Sequence, residues 1–224
     1  MERVENPELQ RLAVRWLADK YKILETREPN HLSTYMYCRT KAFLDQQQTI
    51  EPTEEEILLF ALGYGLQDVL MPPNADTPVL ELEGIVYRPD ITFVGSDQLI
   101  EVKTTRRSAK KHYEPKAISD SWLMYMLGGC KIQGTNTYDL IVIYLMGNYS
   151  PPFPQLYADT ITFTFEEIEL NWATIKERKV VLDTALESGI MPVAYEHCEP
   201  WECKGCRYVL LCEVLTREGL ANGS

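Results

Sequence analysis

Asp90, Glu101 and Lys103 are the residues of this 224-residue chain whose types and spacing could do chemistry on a phosphate. They lie in Leu80–Thr105, LELEGIVYRPDITFVGSDQLIEVKTT, where two β-rich runs flank Val94-Gly95-Ser96-Asp97. A Gly-Ser pair suits a two-residue hairpin turn, with glycine taking the positive φ. That turn sets the register. Val94 faces Asp97, and counting outward puts Asp90 opposite Glu101. Lys103, two residues further on, shares the Glu101 face, while Ile91, Phe93, Ile100 and Val102 point the other way into a core. Two carboxylates would then stand with Cβ atoms roughly 5 Å apart and an ammonium beside them.

Like charges that close repel, so the pair is expected to hold a cation in the gap. Hard oxygen ligands on a rigid strand pair suit Mg²⁺ or Mn²⁺. Such an ion would polarise a phosphate and acidify a bound water, with Lys103 orienting that water or stabilising the developing charge. The plain alternative is a surface strand pair carrying a salt-bridged Glu and Lys, because the pattern is short. Glu81 and Glu83 precede the site and are read as outer or surface groups.

Two further clusters carry chemistry. Lys103, Arg106, Arg107, Lys110, Lys111 and Lys116 crowd into fourteen residues directly after the acids. A charge run is ordinarily a solvated loop, but beside a metal site it fits a phosphate track. Near the other end, Cys203, Cys206 and Cys212 are spaced C-x2-C-x5-C, which suits a soft metal ion or the corners of a cluster. Cys38 is the candidate fourth ligand. Four thiolates suit a [4Fe–4S] cube or tetrahedral Zn²⁺ equally in number. A rival grouping, Cys198-x4-Cys203-x2-Cys206, has plant-type ferredoxin spacing. Cys130 stands alone.

Composition narrows the class. The hydrophobic fraction of 45% and the charged fraction of 25% are those of an ordinary globule, long enough for one ample core or for a domain with an appendage. No apolar run approaches the roughly 20 residues that span a membrane, and MERVENPELQ lacks an apolar signal core. A cytoplasmic location and no membrane partner are expected. The net charge of −11 excludes a generally basic nucleic-acid coat, so any DNA contact must be local. Six cysteines in such a chain point to metal or redox chemistry rather than disulfides.

The elements that must position these groups follow from caps and periodicity. Asn6-Pro7-Glu8 starts a helix to about Glu25, with Leu9, Leu12, Ala13, Trp16, Leu17 and Leu24 on its core face. His31 is a capping or surface residue. Ser33 can cap a second helix holding Tyr35, Tyr37, Cys38 and Phe43. Thr53 and Glu56 form a capping box for a helix to about Met71 that buries Ile57, Leu58, Phe60, Ala61 and Leu62. Met71–Pro78 links into the strands, and Gly84 marks a bulge in the first. Ile118–Leu127 is a short helix, Tyr138–Met146 and Leu156–Phe165 are strands, and Phe165–Gly189 is a helix stopped by its glycine.

Arg88-Pro89-Asp90, a loop and Glu101-Val102-Lys103 resemble the PD-(D/E)XK nuclease signature. Ser33…Tyr37-Cys38-Arg39 with Lys41 resembles the opening of RecB-like nucleases that carry an iron–sulfur cluster, without the usual proline after the cysteine. Gly63–Gln67 resembles their G-x-x-x-H motif with Gln67 in place of the histidine. Ser121–Tyr125 resembles Q-x-x-x-Y with Ser121 in place of the glutamine. Over residues 32–212 the chain resembles the CRISPR-associated RecB-like exonucleases, the fourth Cas family, and the nuclease domains of bacterial helicase-nucleases. The resemblance implies an α/β fold of the restriction-endonuclease-like type, a mixed sheet flanked by helices. Residues 1–224 would form a single nuclease domain, with 30–48 plus 190–220 as an iron–sulfur subdomain that joins the chain's ends. It implies Asp90, Glu101 and the Val102 carbonyl as metal ligands, Lys103 as catalytic, and Gln67 and Tyr125 as auxiliary, with Asp68 a possible substitute ligand. It implies Cys38, Cys203, Cys206 and Cys212 on a [4Fe–4S] cluster, and Arg106, Arg107, Lys110 and Lys111 on DNA. The expected activity is Mg²⁺- or Mn²⁺-dependent hydrolysis of DNA, exonucleolytic on single-stranded or end-containing substrates, with CRISPR spacer-integration proteins as partners. Two alternatives stand beside it: a DNA-binding adaptor with weak or lost cleavage, and a small redox or zinc protein without nucleic acid.

Overall fold

The computed structural model describes residues 6–23, 28–47, 50–114, 117–145, 154–192 and 200–217. Its helices are α1 (Pro7–Lys20), α2 (Arg39–Gln47), α3 (Glu54–Leu70), α4 (Asp120–Gln133), α5 (Phe165–Ser188), α6 (Pro200–Lys204) and α7 (Val209–Arg217). Its strands are β1 (Ala75–Asp76), β2 (Leu80–Leu82), β3 (Ile85–Tyr87), β4 (Thr92–Phe93), β5 (Ile100–Thr105), β6 (Thr137–Tyr144) and β7 (Gln155–Thr162). The central sheet runs β5-β6-β7, with β5 parallel to β6 and β6 antiparallel to β7. Parallel strands need a crossover, and α4 lies in the connection between β5 and β6. The result is a mixed α/β fold around a small mixed sheet.

Helix starts follow the expected capping chemistry. The Asn6 side chain accepts from the Leu9 N–H, and Thr53–Glu56 and Thr164–Glu167 form reciprocal capping boxes. On α5, Ile168, Trp172, Ile175, Leu182 and Ala185 are buried at helical spacing, and Gly189 ends the helix at φ 71°. The main core combines these residues with Leu32, Tyr87, Met126, Tyr138, Leu140 and Val142. On the opposite side of the sheet, Ile91, Ile100, Val102 and Ile143 form a second cluster, with Phe93 packed against it. Period-two alternation along β5 and β6 separates the two.

Four expectations are corrected. Gly84 is not a bulge: β2 and β3 pair from Leu80↔Tyr87 to Leu82↔Ile85, and Glu83 and Gly84 both take positive φ in a two-residue turn. The second helix does not contain Tyr35, Tyr37 or Cys38. A 3-10 turn over Leu32–Tyr35, with His31 accepting from the Ser33 N–H, precedes it, and Cys38 sits just before α2. On α1, Leu9, Leu12 and Trp16 are 52%, 51% and 59% exposed, while Val14 and Ala18 are buried with Ile57 of α3. Likewise Leu58 and Leu62 are exposed on α3, where only Glu56, Ile57 and Ala61 are buried. The two helices meet along a narrow seam of small and branched residues, so the bulky side chains are left outside it. Helix α1 ends at Lys20, and Leu24, Glu25 and Met146 lie outside the described residues.

Candidate active site

The acids are positioned by a strand pair that is shorter than a hairpin. Ile91 and Ile100 exchange both backbone hydrogen bonds, at 3.1 and 3.0 Å, which is the expected register. In an antiparallel ladder the next such pair outward would be Pro89 with Val102, and proline has no N–H to give. The Asp90 carboxylate takes over there: its Oδ2 accepts the Val102 N–H at 2.8 Å. On the turn side, the Thr92 hydroxyl donates to the Gln98 carbonyl at 2.6 Å, while β4 pairs with β1 instead of β5. Pro89 and Thr92 thus reduce the ladder to one bridge and free Asp90 to bend onto β5.

Glu101 is only 1% exposed. Its expected polar face is a pocket of tyrosines. Tyr138 donates to Glu101 Oε2 at 3.1 Å, and the Tyr87 hydroxyl is hydrogen-bonded to that of Tyr138. Lys103 Nζ lies directly on Glu101 Oε1 and 5.4 Å from the centre of the Tyr125 ring. Tyr125 packs on Tyr87 with ring centroids 5.4 Å apart and donates to the Arg88 carbonyl at 3.0 Å. Gly129 makes this stack possible, because a Cβ there would lie 2.7 Å from the Tyr87 hydroxyl. Gln67, from α3, donates its amide to the Asp90 backbone carbonyl at 3.1 Å. Asp68 is exposed. Ser121 meets the Ser119 hydroxyl at 3.1 Å, at the N-terminus of α4.

Charge and burial oppose one another here. Burial pushes the Glu101 carboxyl up to about 7, Asp90 adds to the rise, and Lys103 and Tyr138 resist it. Burial also raises Asp90, against the pull of Lys103 and the Val102 N–H. Desolvation works to lower the Lys103 pKa, but Glu101 and Asp90 together overturn it and leave the ammonium held firmly charged. One cation therefore serves two carboxylates, and the oxygen set can accept a hard divalent ion in addition. Among the described residues, no group of three or more His, Cys, Asp or Glu is gathered to hold a metal, so these two acids would need the Val102 carbonyl, water or phosphate to complete a shell.

The cysteine corner joins distant parts of the chain. The Cys38 N–H donates to Glu202 at 2.8 Å, Thr40 donates to the Pro192 carbonyl at 2.8 Å, and Arg207 and Tyr208 both bond Asp45. Cys38, Cys203, Cys206 and Cys212 are not joined in disulfides. Burial pushes the Cys212 thiol up to about 11, and Cys38, Cys206 and Cys203 each add to the rise, so the four share one neighbourhood. Cys206 is raised mainly by burial, with Cys38 and Cys203 contributing and Lys41 opposing. Four thiolates match an iron–sulfur cluster or zinc in number, but among the described residues they are not gathered into a group that could hold a metal. Cys198 and Lys116 lie outside the described residues. Arg106, Arg107, Lys110 and Lys111 are exposed on the loop that leaves β5.

Sequence reasoning missed Tyr138 and Tyr87 as partners of Glu101, and Tyr37, whose charge interaction reaches Lys103 and Tyr125. It also missed His112, which is buried and bonded to Tyr144 and Asp159. The available signal was parity: Tyr138, Leu140 and Val142 share one face of β6. Which face that is depends on a pairing across α4 that no local pattern specifies.

The fold and site define a mixed α/β protein with a buried carboxylate–lysine centre on its small sheet. No protein-family model matches the chain, and no curated protein matches it in sequence. Its fold is similar to that of SSO0001, with a TM-score of 0.56 and 18% identity over 92% of this chain and 96% of that one. It is more distantly similar to the alkaline exonuclease LHK-Exo from Laribacter hongkongensis, with a TM-score of 0.46 and 13% identity over 70% of this chain and 89% of that one. A phage-related exonuclease from Haemophilus somnus 129PT gives a TM-score of 0.45 and 13% identity over 67% of this chain and 80% of that one. No helix among the described residues is long and apolar enough to cross a membrane.

Proposed function

We propose that the chain is a metal-dependent deoxyribonuclease of the PD-(D/E)XK type. The observation that carries this reading is the convergence of Asp90, Glu101 and Lys103 at one buried point beside the Ile91–Ile100 bridge. Asp90, Glu101 and the Val102 carbonyl would hold Mg²⁺ or Mn²⁺. When bound, such an ion polarises the scissile phosphate and lowers the pKa of a water. The protein's own groups do the rest. Tyr138 fixes Glu101 by one oxygen, and the Val102 N–H fixes Asp90, so both acids are oriented before substrate arrives. Lys103 supplies positive charge where the attacked phosphate gains negative charge, and it orients the attacking water. Tyr125 and Gln67 hold the backbone around Asp90 through the Arg88 and Asp90 carbonyls.

Cys38, Cys203, Cys206 and Cys212 would hold a [4Fe–4S] cluster that tightens a junction already made by Glu202, Asp45 and Arg207. Single-stranded or end-containing DNA is the proposed substrate, and a place beside CRISPR spacer-integration proteins follows from the sequence resemblance alone. A second reading, an adaptor with attenuated cleavage, draws on the departures at two positions. Gln67 commits its amide to a backbone carbonyl, and Ser121 meets the Ser119 hydroxyl at the helix start.

The test is a cleavage assay on protein purified without oxygen, with end-labelled single- and double-stranded DNA and added Mn²⁺ or Mg²⁺. Wild type should cleave and Asp90→Ala should not. Equal cleavage by the two would show that this centre is not the active site. DNA binding without cleavage by wild type would favour the adaptor.

A further inference from the structure

The loop that leaves β5 carries more than charge. Arg106, Arg107, Lys110 and Lys111 are exposed, and Tyr113, two residues beyond them, is 78% exposed. An isolated exposed aromatic is ordinary on a protein surface. This one is held. Its ring stands perpendicular to that of His112, with centroids 4.6 Å apart at 80°, and to that of Tyr157 at 6.0 Å and 87°. His112 is itself buried, stacked on Tyr157 at 4.2 Å, and bonded through Nδ1 to the Tyr144 hydroxyl and through Nε2 to Asp159. Those partners sit on β6 and β7, so the loop's far end is pinned to the central sheet.

Nearby acids offset only part of the loop's charge. Glu114 lies 3.8 Å from Lys111, and Asp159 is engaged by His112. Arg107 donates to the Ala117 carbonyl at 3.4 Å, which leaves its charge unpaired by that contact. The chain carries −11 overall, so this positive loop stands out from its surroundings. It also begins three residues after Lys103, about 10 Å along an extended strand.

We propose that residues 106–113 bind an unpaired DNA strand, with the cations on successive phosphates and the open face of Tyr113 stacked on a nucleobase. A duplex keeps its bases stacked on one another and cannot offer a free face to Tyr113, whereas an unpaired strand can. Position then gives direction: the strand is held on one side of Lys103, and the bond to be cut lies on the β5 side of the stacked base. This inference rests on the nuclease reading and sharpens it by naming how the substrate is recognised.

The experiment is equilibrium binding of the full chain to fluorescent oligonucleotides, without divalent metal so that nothing is cut. Three probes share one length: a mixed-sequence single strand, the same backbone with abasic sites, and a duplex. Wild type should bind the single strand most tightly. Tyr113→Ala should weaken that binding about 10-fold and leave the abasic probe unchanged, while Tyr113→Trp should retain it. Arg106→Glu with Lys110→Glu should weaken all three probes and flatten the salt dependence. Wild-type binding with an unchanged Tyr113→Ala affinity overturns the stacking site and leaves the nuclease reading standing. Equal affinity for duplex and single strand also overturns it. Failure of wild type to bind any DNA removes both.

Discussion

The carboxylate centre and the cysteine corner hold their chemically active side chains in opposite ways. At the carboxylate centre, a strand bridge, a backbone N–H and a tyrosine hydroxyl hold Asp90 and Glu101, and Lys103 supplies the offsetting charge. The site is oriented by protein alone. At the cysteine corner the peptide framework is joined by Glu202, Asp45 and Arg207, while burial, helped by the neighbouring thiols, raises Cys206 and Cys212. Binding a soft metal there must displace protons, so affinity should be gained only with the metal present. The difference teaches where each site is fragile. On the proposed reading, the first should fail by losing a carboxylate while remaining folded, and the second, if it holds a metal, by losing it and loosening the fold. The two meet at Tyr37–Cys38, since Tyr37 acts electrostatically on Lys103 while Cys38 acts on Cys212.

The largest expected effect breaks the carboxylate side. Asp90→Ala or Glu101→Ala should lower single-turnover cleavage at least about 1,000-fold, a barrier change of about 4 kcal/mol. The melting temperature of the cluster-loaded protein should move little by comparison. Lys103→Ala should cost about 100- to 1,000-fold in turnover while Mn²⁺ affinity by calorimetry persists, because its charge matters most in the transition state. A parallel collapse of metal affinity would instead make Lys103 a structural counter-charge.

Next comes the cysteine side. Cys203→Ser or Cys206→Ser should remove iron and lower the melting temperature by about 10 °C or more, since the metal's binding energy is folding energy. Cys198→Ser should leave iron content unchanged, and its loss there would favour the ferredoxin-like spacing. Stoichiometric zinc without iron in anaerobically purified wild type would replace the iron–sulfur assignment.

A smaller effect probes how the acids are held. Tyr138→Phe deletes the donor to Glu101 and should weaken Mn²⁺ binding about 10-fold, as loss of a partner to a metal ligand commonly does. Gly129→Ala should act through the same contacts. Its Cβ would crowd the Tyr87 hydroxyl at 2.7 Å, so stability should fall by about 1–3 kcal/mol by denaturant melting.

Particular residues show what could be read before the fold was seen. Asp90, Glu101 and Lys103 were legible because strand parity is a local rule, and Ile91↔Ile100 has the expected register, although the turn centres on Val94-Gly95, closed by the Ser96 N–H on the Phe93 carbonyl, and not on Gly95-Ser96. The fragmentation of that hairpin was not foreseen, although Pro89 carried the reason. Caps at Asn6 and Thr53 and the stop at Gly189 were equally local, whereas the Thr164–Glu167 capping box was not read. The buried face of α1 was not. Leu9, Leu12 and Trp16 form a periodic stripe, but packing against Ile57 selects Val14 and Ala18. Periodicity states that a helix has a face; only its neighbour decides which one is covered. His112 was passed over for the same reason, because Tyr144, Tyr157 and Asp159 come from strands at least thirty residues away in sequence.

The smallest expected effect lies at Gln67, where the two readings of the carboxylate centre separate. Its amide donates to the Asp90 carbonyl, so the residue already supports the backbone that carries this carboxylate. Gln67→Leu removes that donor from a half-buried acceptor and should cost about 1 kcal/mol of stability, with a modest loss of cleavage. Gln67→His offers an imidazole at the same place. Imidazole binds Mn²⁺ better than an amide oxygen does and gives less to the harder Mg²⁺, so turnover should rise several-fold with Mn²⁺ and little with Mg²⁺. If His and Leu variants behave alike with both ions, position 67 serves the backbone alone. If Gln67→His gives cleavage to a wild type that has none, the carboxylate centre is an attenuated active site and the chain works by holding DNA.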